Sequence, residues 1–390
     1  MSGRAVAVLS LAAFASAAAQ RGIDPLLPLL AESFGTSAGG ASAVITAFAI
    51  AYGFFQIVNG PLSDRFGKYR MVFFVTALSA LGNLASAFAP TLPVLIVARF
   101  ATGATVGAIV PLAIAWIGDA IPYERRQPVL VRFLIGSLLG AALATTGAGW
   151  LGELFGWRSM FVALAALYFV AAVLLLVELR TNPATLQAPR VGESLAQGLL
   201  GMARLTRIKW VRVILATAFV EGALFYGALA FAAYHAHQSL GLGVAASGML
   251  LAAFAGGGLL YAVVAGRLVR RLDERGLALV GGIFAGAGYL GLALAPAAAY
   301  AVPCLAACGA GLYMLHNTLQ LHATQMAPET RGAAVALFAL FLFTGQSVGV
   351  LLASLVVDSV GTRPVFLFAA VGLPLLALYF RRRLAARRLK

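Results

Sequence analysis

Apolar residues run along this chain in stretches of about 20 or more, the length needed to cross a hydrocarbon core of roughly 30 Å. Polar positions gather in the short breaks between them. Twelve such stretches are legible, at 5–30, 41–62, 71–89, 92–117, 129–151, 159–178, 211–236, 244–265, 277–295, 299–323, 332–356 and 364–380. The pattern predicts an all-α integral membrane protein of twelve transmembrane helices. The first twenty residues also imitate a secretory signal. Their apolar run continues through "PLLPLL", which predicts an uncut first helix, an even number of spans and both termini on one side.

Composition agrees with the pattern: 62% of residues are hydrophobic and 11% charged, where an ordinary soluble domain carries about 25% charged residues. Charge then orients the chain. Of the 28 Lys and Arg, Arg21 and Arg99 lie deep within spans. Only Arg158 and Arg363 fall outside when the amino terminus is placed inside, and the rest occupy cytoplasmic loops and ends, as the positive-inside rule requires. The net charge of +15 is thus a topology signal, spread over loops on one membrane face, and predicts no nucleic-acid partner. Cys304 and Cys308 are one turn apart in the tenth span and read as small packing residues. Two thiols fall short of a metal site. No metal-ligand set and no Ser-His-Asp grouping at a membrane face is found, so the sequence predicts no metal, no cofactor and no enzyme.

The longest polar interval divides six spans from six: residues 1–180 form an N-terminal six-helix bundle, 181–209 a cytoplasmic central loop and 210–390 a C-terminal six-helix bundle. Internal similarity supports the cut. One constant displacement carries Glu124, Arg126, Gly156, Arg158 and Phe161 onto Glu329, Arg331, Gly361, Arg363 and Phe366. A displacement one residue longer relates "GPLSDR" at 60–65 to "GRLVRR" at 266–271. Two pseudo-symmetric bundles related by an axis along the membrane normal are one known transporter architecture.

Gly60, Leu62, Asp64, Arg65, Gly67, Lys68 and Arg70 in "GPLSDRFGKYR", between spans two and three, resemble the signature of the major facilitator superfamily. Arg99 and Gly103 in "RFATG" on span four resemble the signature of its proton-coupled members. The opening "IDPLLPLLAESFG" is similar to the first span of bacterial twelve-span drug/proton antiporters. The fifth span departs from the antiporter pattern: Ala144 and Thr145 stand where Gly-Pro is expected before Trp157 and Arg158. The resemblance implies the major facilitator fold, a bacterial inner membrane, and a central cavity lined by spans one, four, seven and ten. It also implies a latch, built from Gly60, Asp64, Arg65, Gly67, Lys68, Arg70 and Asp119, that holds the halves in the outward-facing state. In the second half Arg270 stands where the latch Asp would be, so the latch reads as asymmetric.

Charges inside a span are costly and mark function by default. Here they fall on span one (Arg21, Asp24), span four (Arg99), span seven (Glu221) and span ten (His316), the spans that the resemblance assigns to the cavity. Asp24 and Arg21, three apart on one helix face, read either as a structural ion pair or as a titrating acid beside its modulator. Resemblance to the first-span acid of the antiporters favours protonation. Pro25 and Pro28 should bend the helix there. Glu221 has no basic residue within two turns on its own helix and reads as a proton carrier, a partner for a cationic ligand, or a hydrogen-bonded packing group. Arg99 reads as a partner of Asp24 across the cavity or as a packing arginine bonded to carbonyls. His316, Asn317 and Gln320 offer hydrogen bonds. Among the aromatics Phe54, Phe55, Phe225, Tyr226 and Tyr313, the two tyrosines are the better cavity candidates. His235 and His237 are placed at the outer mouth in water. Four glycine pairs spaced by four (103/107, 136/140, 282/286 and 345/349) read as helix-packing positions.

Proton coupling is thereby assigned to Asp24, Glu221 and Arg99, and the substrate cavity to Arg21, Tyr226, Tyr313, His316, Asn317 and Gln320. The expected activity is proton-coupled efflux of small amphiphilic organic molecules by a monomer in the lipid bilayer. The alternative is a facilitator or proton symporter for a metabolite such as a sugar, nucleoside or organic acid, which the altered fifth span supports.

Overall fold

Membrane helices form here because a span without water must satisfy every backbone group internally. The computed structural model describes residues 2–186, 195–327 and 330–388. Among them 11 helices are long and apolar enough to cross a membrane. One of these, Val244–Leu294, has 51 residues, enough for two crossings. It breaks at Asp273, whose φ of 54° and ψ of −179° are not helical. The break has a local cause: the Asp273 carboxylate accepts hydrogen bonds from the backbone N–H groups of Arg275 and Gly276, both at 2.9 Å, and so caps the helix that follows. Counted as spans eight and nine, the two arms complete the twelve expected spans.

The first helix of each half is irregular at mid-membrane. Span one runs as Ser2–Arg21, a 3₁₀ turn at Asp24–Leu26 and a second helix Leu27–Phe34. Pro25 and Pro28 begin the two later pieces, where a missing N–H costs least. Span seven runs as Lys209–Glu221, a π-type turn at Gly222–Tyr226, and the helices Gly227–Leu229 and Ala232–Leu240. The interval 181–209, expected as loop, contains the helix Leu195–Leu205, whose Met202 and Leu205 pack with Val211, Leu337 and Phe338.

All four glycine pairs meet a neighbouring backbone. A Cβ at Gly136 or Gly140 would abut the carbonyl of Ser10 or Phe14, and one at Gly345 or Gly349 that of Phe219 or Ala223. Spans one and five therefore touch as spans seven and eleven do. Gly103 and Gly107 face the Phe48 and Tyr52 carbonyls of span two, and Gly282 and Gly286 face span twelve. Gly345→Ala drives its methyl into a carbonyl that belongs to a helix and cannot turn away. An overpacking cost of about 1–3 kcal/mol is expected as a lower unfolding midpoint in detergent, whereas Gly118→Ala, whose Cβ would meet nothing, leaves the midpoint in place.

The halves are joined at the face opposite the basic loops by two carboxylates. Asp358, at the end of span eleven, accepts from Ser37 Oγ at 2.7 Å and from Gly39 N at 2.9 Å, at the start of span two. Glu153, at the end of span five, accepts from Ala245 N at 2.7 Å, at the start of span eight. The displacement that relates the repeats carries Glu153 onto Asp358, and the one-residue-longer displacement carries Gly39 onto Ala245. Each acid thus sits on the positive end of a helix from the other half.

Candidate functional site

Between the halves lies a cavity of about 590 Å³, within the range of small-molecule sites. Its wall comes from spans one, five, seven, eight and ten, and it runs from Asp24 and Tyr226 at mid-membrane to Leu134, Ala265 and Gln320 near the basic face. On the opposite face a second recess of about 740 Å³, bounded by Glu32, Tyr234 and His237, ends at Ser37 and Asp358. One of the two carboxylate contacts, Asp358 with Ser37, lies in the wall of this outer recess.

Six sequence candidates meet in the cavity wall: Arg21, Tyr226, Tyr313, His316, Asn317 and Gln320, together with Asp24. The bend at Pro25 lets Arg21 and Asp24 face each other, with Nη1 of the arginine 3.2 Å from Oδ2. Arg21 also crosses to the other half, its guanidinium 4.5 Å from the centre of the Tyr226 ring, a cation–π contact. Asp24 is almost fully buried, and its Oδ1 has no hydrogen-bond partner among the described residues.

Glu221 lies one layer deeper, fully buried and outside the cavity wall. Its Oε2 is 2.9 Å from His316 Nδ1, and its Oε1 has no hydrogen-bond partner among the described residues. His316 does line the cavity and packs on the Phe338 ring at 5.7 Å. The π-type turn begins directly after Glu221. Such a turn often accompanies a functional position.

Arg99 does not pair with Asp24. It is fully buried, donates to the Ala19 carbonyl at 3.1 Å and lies 4.1 Å from the Phe48 ring centre. A carbonyl and an aromatic face supply what the carboxylate was expected to supply. His235 is also corrected: it is buried, with Nδ1 2.7 Å from Thr362 Oγ1. His237 borders the outer recess as expected. Phe54 is exposed on the outside of the bundle and Phe225 is packed in the core. The sequence reading missed Tyr261 and Phe254 of span eight and Ser137 and Thr145 of span five.

In the loop between spans two and three, Lys68 Nζ contacts Asp119 at the end of span four, within one half. Gly67 turns the chain with φ of 89°, and Arg65 and Arg70 are exposed. Gly60 lies within the second span's helix. The side chain of Asp64 lies outside the described residues, as do those of Glu124 and Arg331.

A family model described as Major Facilitator Superfamily matches residues 9–330. The chain belongs to the Major Facilitator Superfamily. Among curated relatives, the uncharacterized transporter YgaY of Escherichia coli O157:H7 is 32% identical over 173 residues, 44% of this chain and 43% of its own length. The 4-hydroxybenzoate transporter PcaK of Pseudomonas aeruginosa is 30% identical over 40% of this chain and 34% of its own. The lincomycin resistance protein of Streptomyces lincolnensis is 29% identical over 39% and 32%. The chain therefore matches less than half the length of these relatives. A solved peptide transporter of the POT family in complex with sulfate shares the fold at a TM-score of 0.82, with 18% identity, over 98% of this chain and 94% of that one. Among its described residues this superfamily member carries 11 helices long and apolar enough to cross a membrane, and the relatives named above as transporters match it over part of their length. Its cavity departs from the expected lining of spans one, four, seven and ten: among the described residues span four contributes no wall, because Arg99 is turned behind span one, and spans five and eight fill the place.

Proposed function

We propose that this chain is a secondary transporter that exports small amphiphilic organic molecules in exchange for protons, by alternating access. The observation that carries the reading is the pair of buried carboxylates, Asp24 and Glu221, at a cavity between the halves that extends toward the basic face. In this reading the basic face is cytoplasmic, the membrane is a bacterial inner membrane, and both termini are cytoplasmic. Residues 1–180 and 210–390 rock as two bundles joined by 181–209 in a functional monomer. Protonation and substrate binding compete at the cavity, and the loop from Gly60 to Arg70 with Asp119 latches the state open to the other side. The wall of tyrosines and Phe254 around one arginine–aspartate pair suits molecules with an apolar body and one polar or charged end.

Import of a metabolite is the second reading. The residues Ala144 and Thr145, where antiporters of this kind carry Gly-Pro, favour it, as does the likeness to an aromatic-acid transporter.

The test follows a pH gradient with a fluorescent dye in everted membrane vesicles. Cationic, neutral and anionic compounds are added to wild type, Asp24→Asn and Glu221→Gln. A compound that dissipates the gradient in wild type, but not in a carboxylate variant, is the expected outcome. A silent panel, with labelled metabolite still entering liposomes without a gradient, removes the exchange reading and leaves facilitated uptake.

A further inference from the structure

The two carboxylates are not equivalent. Asp24 faces the cavity and is balanced by Arg21 at 3.2 Å. Glu221 has no such cation among its hydrogen-bond and ion-pair partners, lies outside the cavity wall, and is hydrogen-bonded to one group of that wall, the imidazole of His316; Tyr226 of the wall is also electrostatically close to it. The titratable and charged groups nearest this pair on the cavity wall are Arg21 and Asp24 of span one, Tyr226 of span seven, Tyr261 of span eight and Tyr313 of span ten. Among them Arg21 is engaged by Asp24 and Tyr226. None of them is hydrogen-bonded to Glu221 as His316 is.

We propose that His316 is the conduit by which protons pass between the cavity and Glu221, making Glu221 the proton carrier and Asp24 a fixed charge. The inference rests on the proton-coupled reading above and names the route within it. Imidazole suits the task because its two nitrogens let it gain a proton on one side and lose one on the other. The proposed cycle starts with neutral His316 donating Nδ1–H to the carboxylate Oε2 of Glu221, 2.9 Å away, the ring itself lying on the cavity wall. A hydronium ion in the cavity protonates Nε2, and the proton on Nδ1 moves to Oε2. One proton has left the cavity, Glu221 is neutral, and His316 is neutral again with Nε2–H, its Nδ1 now accepting from the new carboxyl O–H. Release runs the same steps in reverse. No oxidation or third reactant is involved.

The experiment needs no substrate. Purified protein in lipid nanodiscs is subjected to a downward pH jump, and the protonated-carboxyl stretch is followed by time-resolved infrared spectroscopy, with Glu221→Gln assigning the band. His316→Gln keeps an N–H donor beside Glu221 but has no second site for a proton, so the band is expected to rise more slowly by roughly 10²-fold. His316→Ala is expected to be equally slow and to recover its rate when free imidazole is added, a rescue that a packing role alone does not produce. A band that rises at the wild-type rate in His316→Gln overturns the conduit. A band that survives in Glu221→Gln overturns Glu221 as carrier, while the vesicle assay still reports coupling through Asp24. A fast, His316-dependent band with no substrate-linked proton flux in vesicles upholds the conduit and removes the exchange reading instead.

Discussion

Asp24→Asn is expected to lower the unfolding midpoint further than the double replacement Arg21→Gln/Asp24→Asn does. Arg21 and Asp24 form an ion pair at 3.2 Å with side-chain exposures of 11% and 2%. Two such charges gain little net stability from each other, because desolvation offsets their attraction. Removing one partner is different: it leaves the other buried with nothing to balance it, at a cost of about 3–5 kcal/mol. In Asp24→Asn the guanidinium keeps the face of Tyr226 and a neutral amide acceptor, but no counter-charge. In the double variant two neutral amides can bond to each other, and most of the lost stability returns. Thermal unfolding of the purified proteins in one detergent measures both. A double variant as unstable as the single one would show that pairing is not what fixes Arg21 in place. Transport is expected to remain impaired in the double variant, because the cavity has lost its fixed charges.

The second large effect concerns the face opposite the basic loops. Glu153→Gln and Asp358→Asn each remove a negative charge from the start of a helix in the other half. Such a charge contributes about 0.3–1 kcal/mol when exposed, as both acids are, so losing two shifts a two-state population by roughly 3- to 30-fold. The double variant is expected to open at this face. Spin labels at Phe88 and Leu294, both exposed, in a background with Cys304 and Cys308 replaced by Ala, report the separation of the halves. A second, longer distance should appear in the double variant and be weaker in each single one. An unchanged distribution would mean that helix packing alone closes this face.

The spans were legible in the sequence because a helix in lipid has to be apolar along its whole length, and the break at Asp273 was legible as a run of charges too polar for the core. Arg21, Asp24 and Glu221 stood out for the same reason: a charge among leucines cannot be hidden. Their partners were harder to read. Arg99 looked like a cavity residue, yet it is held outside the cavity wall by a carbonyl of span one and the ring of Phe48. His235 looked solvent-facing by its place near a helix end, yet Thr362 from a distant span buries it. Tyr261 and Phe254 carry no mark that separates a cavity-facing aromatic from a lipid-facing one such as Phe54. Glu153 and Asp358 carry no mark in the sequence, since nothing local says that a helix from the other half begins beside them.

Those two acids have a history written in their symmetry. Each half contributes one carboxylate and one helix start, and each receives the same from its counterpart. A six-helix chain with a single such acid and a single such helix start, paired with a copy of itself about a two-fold axis, would form both contacts at once, since an isologous interface repeats every contact it makes. Closure of this face is therefore a property that a homodimer of half-length chains would already possess. In the present chain the halves differ where the closure does not constrain them: an arginine–aspartate pair on one side of the cavity, and on the other a histidine backed by a buried glutamate.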